Sequence, residues 1–290
     1  MPGKHLSVSL LLLFLAGCTT GKDKDAFIFQ FQPDPGKLYQ FVIKTLSTSE
    51  SGFGITGDTI SFRFDILPRN VDSTGTRVTM MIKELRLSKR PVKLYNTPVK
   101  DKKFVGMTLN YFLEQQQIME SLAGDSLVLL INRHGQLQME DRLDDLIKHV
   151  SEKTRIDESH VKLVIRNFLS PSAMKDQLTE LFFYLPVKHI NQGDTWVSNT
   201  MLTALAPVKY SNMITVDTIE NNIVSMNIRS RITAGGEGNI YMDGTRKGSL
   251  KADLSSGFPL NASFIDETST RTTAGEIKKT RSFELRCTIK

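Results

Sequence analysis

The chain has 290 residues, 40% of them apolar and 23% charged, the proportions of a globular protein long enough to bury a core of its own. Nineteen Gly and ten Pro, with no like-charge block, exclude collagen-like and low-complexity architectures. The formal charge of +6 comes from 37 basic residues interspersed among 31 acidic ones, with no basic stripe interleaved with aromatics, which argues against nucleic acid as a partner.

The N-terminus reads as an export signal. Lys4 and His5 give a positive start, Leu6 to Leu15 form an apolar run broken only by Ser7 and Ser9, and the small residues Ala16 and Gly17 precede Cys18. The run is too short for a permanent membrane helix. Leu15, Ala16, Gly17 and Cys18 resemble the lipobox of bacterial lipoproteins. That resemblance implies cleavage between Gly17 and Cys18, a diacylglyceryl group on the Cys18 thiol, and attachment of the mature chain to a membrane through N-terminal acyl chains. An ordinary cleaved signal with an incidental cysteine is the alternative. Loss of residues 1–17 removes Lys4 and lowers the formal charge to about +5. Residues 18–25 then form the lipidated cysteine and a small, charged tether; Thr19 stands where an inner-membrane retention signal would place aspartate, which implies the outer membrane, facing either the periplasm or the exterior. The one other cysteine, Cys287, has no thiol left to pair with once Cys18 carries lipid, so the fold must rest on its core.

Residues 26–290 read as a single α+β ectodomain, with strands over 26–132, helices over 140–184 and strands over 194–290. In the first part, Phe27, Phe29 and Phe31, then Ile60, Phe62, Phe64 and Ile66, then Val78, Met80 and Ile82 alternate with polar or smaller neighbours, the period of half-buried antiparallel strands. Pro33, Pro35 and Gly36, then Ser51 to Gly57, then Asn70 to Gly75 supply turns. Leu85 and Leu87 fall out of phase with Val78 to Ile82, which predicts a bulge near Lys83. The spacing of Phe112, Leu113, Gln116 and Met119 suggests a helix over Asn110 to Ala123, and Leu127 to Ile131 followed by Arg133, His134 and Gly135 predicts a strand and tight turn.

Three amphipathic helices follow. Leu143, Leu146, Ile147 and Val150 share one face; Val161, Val164, Ile165 and Phe168 share another; Met174, Leu178, Leu181 and Phe182 a third, started by Ser170 and Pro171. Asp144 and Asp145 are adjacent and so point apart, which suits an acidic first turn and not a shared acid–base pair. Beyond Thr195 the period returns to two: Val224, Met226, Ile228 and Ile232 oppose Ser225, Asn227, Arg229 and Arg231, with a hairpin turn at Glu220, Asn221 and Asn222 after a strand over Met213 to Ile219. Further strands are expected over Asn239 to Met242, Lys247 to Leu254, Pro259 to Thr268 and Arg281 to Ile289; Phe283, Leu285, Cys287 and Ile289 share one face, making Cys287 a buried, inert thiol. The expected architecture is one or more large curved antiparallel sheets, built from both ends of the chain and packed with about three central helices.

Leu185 to Lys188 leading to Gly193, Asp194, Thr195 and Trp196, then Gly244 to Gly248, Asp253, Ser256 and Gly257, with the Arg133 to Gly135 turn, resemble an uncharacterised family of Bacteroidota lipoproteins known as a domain of unknown function. The resemblance runs from about Leu38 to the C-terminus and implies export and scaffold, but no chemistry.

Catalytic signatures are missing. The histidines at 5, 134, 149, 160 and 189 have no zinc-helix spacing, and no nucleophile elbow or phosphate loop occurs; Gly235, Gly236 and Gly238 lie between strands, where they suit a bend. No catalytic residue, metal or cofactor is therefore assigned, although a scattered triad would leave no linear trace. Trp196 beside Asp194 and Gly193 has two readings, a ligand-stacking aromatic or a strand-starting turn whose Trp fills core. For function, sixteen Phe and eleven Met on strand and helix faces are compatible with a cavity for a hydrophobic small molecule. A tethered module contacting another envelope protein through an edge strand or apolar patch is the alternative.

Overall fold

The computed structural model describes residues 27–28, 31–52, 54–71, 75–94, 102–132, 137–139, 143–169, 189–202, 207–235, 241–273 and 275–290. Residues 1–26, with Gly17, Cys18 and the tether, lie outside them, as do Phe29, the Arg133 to Gly135 turn, the helix expected around Met174 to Phe182, Leu185 to Lys188, and Gly236 and Gly238.

The fold is α+β, dominated by one antiparallel sheet. In chain order the elements are β1 (Phe27–Ile28), β2 (Tyr39–Ser51), β3 (Gly54–Val71), β4 (Thr76–Leu94), α1 (Lys102–Ser121), β5 (Ser126–Ile131), β6 (Leu137–Met139), α2 (Leu143–Thr154), α3 (Glu158–Leu169), β7 (His189–Ile190), β8 (Thr195–Leu202), β9 (Val208–Glu220), β10 (Ile223–Gly235), β11 (Tyr241–Asp253), β12 (Pro259–Thr272) and β13 (Gly275–Ile289). Among the described residues, eleven strands pair in the order β6-β5-β4-β3-β2-β13-β12-β11-β10-β9-β8, while β1 and β7 make a separate two-stranded pair. Neighbours in sequence are neighbours in space almost throughout, as hairpins dictate. Within the large sheet the exception is the β2–β13 seam, where Tyr39 faces Ile289 and Ser47 faces Arg281, joining segments far apart in the chain.

Alternation explains which face is buried. Tyr39, Phe41 and Ile43 on β2 meet Ile66, Phe64 and Phe62 on β3, and all six side chains are buried. The inner face stays continuous across β4 because of a bulge: Arg63 faces Glu84 while Phe64 faces Ile82, so Lys83 is the extra residue. Val78, Met80 and Ile82 then point inward together with Leu85 and Leu87. The phase break around Lys83 is this feature.

Helices cover one end of that face. α2 buries Leu143, Leu146, Ile147 and Val150, and α3 buries Val161, Val164, Ile165 and Leu169. On α3 the buried stripe ends on Leu169, and Phe168 is left only partly buried against the core. α1 begins eight residues before the expected Asn110, because Lys102 to Leu109 offer weak apolar spacing and the helix is anchored at its far end by Ile118, Met119 and Leu122.

The remaining differences are lengths. The turn expected over Ser51 to Gly57 shrinks to the connection between Ser51 and Gly54, which face each other. The strands expected over Asn239 to Met242 and Lys247 to Leu254 are one, β11, since Gly244 and Gly248 sit under neighbouring backbone and do not break the ladder. β9 starts at Val208 and not Met213, β12 continues to Thr272, and β13 starts six residues before Arg281. The turn at Asn221 and Asn222 has φ of 50° and 63°, the left-handed pair of a two-residue hairpin.

Candidate functional site

The apolar inner face is crossed by a polar row. Following partners from strand to strand, Ser198 (β8), Asn212 (β9), Ser230 (β10), Arg246 (β11), Asp266 (β12), Arg281 (β13), Ser47 (β2) and Asp58 (β3) stand in one transverse register line. All occupy positions of the inner alternation, and five of them are almost wholly buried: Ser47, Asn212, Ser230, Arg246 and Asp266.

Burial on this scale requires partners. Ser230 donates to Asn212 Oδ1 at 2.6 Å, and Asn212 Nδ2 donates to Thr200 at 3.2 Å. Arg246, 1% exposed, grips Asp266 with two parallel bonds, Nε to Oδ1 at 2.7 Å and Nη2 to Oδ2 at 2.9 Å. Arg281 reaches the same Oδ2 with Nε at 2.9 Å and Nη2 at 2.7 Å. The Arg246 guanidinium carbon lies 4.6 Å from the Tyr210 ring centre and 5.1 Å from that of Phe264, so rings stabilise a charge that water does not reach. Next to Arg246 along β11, Gly248 leaves room for Phe264: a Cβ there would stand 2.5 Å from the ring and 2.0 Å from the Ser263 carbonyl oxygen.

A pocket of about 260 Å³ opens between this face and the end of α3. Its deep end is apolar, formed by Ile43, Phe62 and Leu85; one step along the strands come Phe283, Thr45 and Ile60; the next step brings Arg281 and Ser47, and the last Lys279. Phe168 and Leu169 of α3 form the opposite wall. Burial falls in the same direction along β13, from the buried Phe283 through a partly exposed Arg281 to an exposed Lys279, which places the mouth at the cationic end. Lys279 has a lowered pKa, first because its ammonium is partly desolvated and then because Arg281 is near, with Asp58 and Asp266 opposing. Three phenylalanines line the pocket and no methionine does; Met80, Met119 and Met226 fill core instead.

The residues singled out by sequence sit elsewhere. Gly193, at φ 85°, donates to the Val216 carbonyl at 2.9 Å, Asp194 Oδ2 accepts from the Asn191 amide at 2.9 Å, and together they turn β7 into β8. Trp196 packs, partly buried, against the core and does not line the pocket. Asp144 forms an exposed ion pair with Arg166 at 3.5 Å. Cys287 shares its face with the buried Phe283 and Leu285, and burial pushes its thiol pKa up to about 12. Among the described residues no cluster of His, Cys, Asp and Glu would hold a metal ion, and no helix is long and apolar enough to cross a membrane.

Sequence reasoning missed Arg246, Asp266, Arg281 and Lys279. The signal was present as an interruption: in Val224, Met226, Ile228 and Ile232 the omitted inward position is Ser230, the β10 member of the polar row.

The chain is thus an α+β protein dominated by one large antiparallel sheet, whose inner face carries an amphipathic pocket. Residues 112–259, just over half of it, match the family of unknown function DUF6263, and the chain belongs to that family. No curated protein matches it. Among solved structures, one described as showing lipid–protein interactions in lipovitellin is 12% identical with a TM-score of 0.47, covering 90% of this chain and 26% of that one. The chain therefore spans about a quarter of the length of that relative. An outer membrane channel from Pseudomonas putida F1 is 6% identical with a TM-score of 0.24, covering 92% of this chain and 98% of that one. Neither likeness is close enough to assign a ligand.

Proposed function

We propose that the protein is an exported, lipid-anchored envelope protein that binds or carries a hydrophobic small molecule in the pocket between the sheet and α3. The observation that carries the binding part is the pocket itself, walled by Phe62, Phe168, Phe283, Ile43, Ile60 and Leu85 in a fold whose other inner-face hydrophobics are packed into a core. At about 260 Å³ it exceeds a cavity of roughly 150 Å³ that admits benzene and lies just below the range of roughly 300–1,000 Å³ typical of small-molecule sites. The anchoring part rests on Leu15 to Cys18 and the preceding apolar run, and with it come the outer-membrane location and the kinship to Bacteroidota lipoproteins.

Native mass spectrometry with solvent extraction, on the full chain purified from a bacterial envelope, tests binding. A stoichiometric hydrophobic ligand is expected, and Thr45→Phe, which places a ring inside the pocket, should abolish it while leaving the melting temperature within a few degrees. Anchoring is tested separately: wild type should carry acyl mass at Cys18 and sediment with membranes, and Cys18→Ala should be released. A Cys18→Ala chain that stays fully membrane-bound, with no acyl mass on wild type, defeats the lipoprotein reading.

The second reading, a docking module, is favoured by one observation. Val197 on the edge strand β8 faces Met213 on β9, and both are exposed on the outer face, at 67% and 44%, with Met201 at 59% nearby. A clean ligand-free mass, combined with a crosslink from β8 to another envelope protein, would select it.

A further inference from the structure

We propose that the pocket selects a single-chain anionic amphiphile, its hydrocarbon laid along the strands over Phe283, Ile60 and Phe62 and its carboxylate or phosphate head held at the mouth by Lys279 and Arg281. This rests on the carrier reading and adds the chemistry of the ligand.

Three features converge on it. The first is polarity along one axis. From Ile43 at the deep end to Lys279 at the mouth, the register takes three steps of two residues, about 20 Å of strand, and the lining changes from wholly apolar to cationic in that direction. A bound chain would therefore be oriented, tail inward and head outward. The second is charge. Arg246 and Arg281 share the single carboxylate of Asp266, whose oxygens accept four guanidinium contacts, and Lys279 has Asp58 across the inner face. Among the described residues, these three cations stand against these two carboxylates, an excess of positive charge in this part of the inner face. A neutral ligand would cover that charge without answering it, whereas an anionic head gains charge-assisted bonds in a partly desolvated place. The third is size, since about 260 Å³ has room for one chain and not for the two of a diacyl phospholipid.

The polar row also explains why the head should stop at the mouth. Arg246 and Asp266 are buried behind the lining and satisfied by one another, and through Asp266 they hold Arg281 in place at the mouth. Lys279, exposed and at the end of a flexible stem, is the group able to close over an arriving head.

The test uses the full chain in phosphatidylcholine nanodiscs and three radiolabelled probes of equal chain length: dodecanoate, dodecyl phosphate and dodecanol, at pH 8 where both acids are ionised. Uptake is measured above empty nanodiscs for wild type, Lys279→Glu, Lys279→Arg and Thr45→Phe. The expected result is that wild type holds the two anions at least tenfold more tightly than dodecanol. Lys279→Glu should weaken both anions about tenfold and leave dodecanol unchanged, Lys279→Arg should keep the preference, and Thr45→Phe should remove all binding. Whichever anion binds better identifies the source as a free fatty acid or a phosphorylated lipid, and either supports the inference. Dodecanol binding as tightly as dodecanoate, with Thr45→Phe abolishing both, overturns anion selection but leaves the carrier reading standing. No uptake of any probe above empty discs overturns both. Since Lys279 is exposed, an unchanged melting curve for Lys279→Glu separates lost recognition from lost folding.

Discussion

At the scale of single residues, the inner face is decided by close contacts that a single methyl group would spoil. Gly248 faces Phe264 and Ile228 across its two ladders, and an added Cβ would meet backbone as well as ring, so the strand itself must move. Gly248→Ala should destabilise the fold by about 2 kcal/mol or more, at the upper part of the range for overpacked cores, read as a fall in the urea midpoint with unchanged slope. Cys287 is the second case. Its thiol ionises at about 12 instead of 9.0 because burial disfavours the thiolate, so it should resist iodoacetamide at pH 8 in the native chain and react rapidly in urea. The sign of the linkage follows: the native state favours the protonated thiol, so this contribution to stability is complete below pH 9 and is lost as the pH rises from 9 towards 12. The inward face of Cys287, partly buried in the fold, was legible from the alternation Phe283, Leu285, Cys287, Ile289; the tight fit around Gly248 was not, since a glycine in a strand reads equally as a bend.

At the scale of elements, ends and irregularities obeyed local chemistry. Asp157 starts α3: its carboxylate accepts from the Ser159 amide at 2.9 Å and from the Ser159 hydroxyl, and the hydroxyl and amide of Ser159 lower its pKa. A carboxylate with a depressed native pKa stabilises the fold above its unfolded pKa and ceases to do so as the pH falls through the native value. Asp157→Ala should therefore lower the melting temperature at pH 7, and the difference from wild type should shrink as the pH falls below the ordinary aspartate value and through the depressed native one. The Lys83 bulge and the Asn221–Asn222 turn were legible for the same reason, because each is written in two to four consecutive residues: a phase shift in one case, a tolerance for positive φ in the other. Strand lengths were less legible. The ladder carries β4 through Leu94 and β13 back to Gly275 in stretches rich in Lys, Arg, Ser and Thr, where neighbours supply the hydrogen bonds and alternation gives no signal.

For the whole molecule, the consequential contact is the seam between β2 and β13, which brings residues from opposite ends of the chain into register and places Arg281 beside Ser47, with Asp266 on its other side. Asp266 ties β11, β12 and β13 together through two arginines. Asp266→Asn would leave the buried Arg246 without a counter-charge, and the expected cost is about 3–5 kcal/mol, measured by chemical denaturation. Replacing Arg246 and Asp266 together by Met and Leu should recover much of that loss, because a well-packed apolar pair requires no desolvation of charge.

Local sequence was enough for the α+β class, the inward faces of most strands and of α2, most of the α3 stripe, the Asn221–Asn222 turn and the bulge, because each is governed by neighbours within a few positions. Long-range pairing set the rest: eleven of the described strands form one sheet, β11 runs unbroken through two glycines, and Lys279 and Arg281 flank a pocket closed by Phe168. Those outcomes depend on the pairing of strands far apart in sequence, and a one-residue choice of register at the β2–β13 seam would have turned the same arginine and lysine to the opposite face.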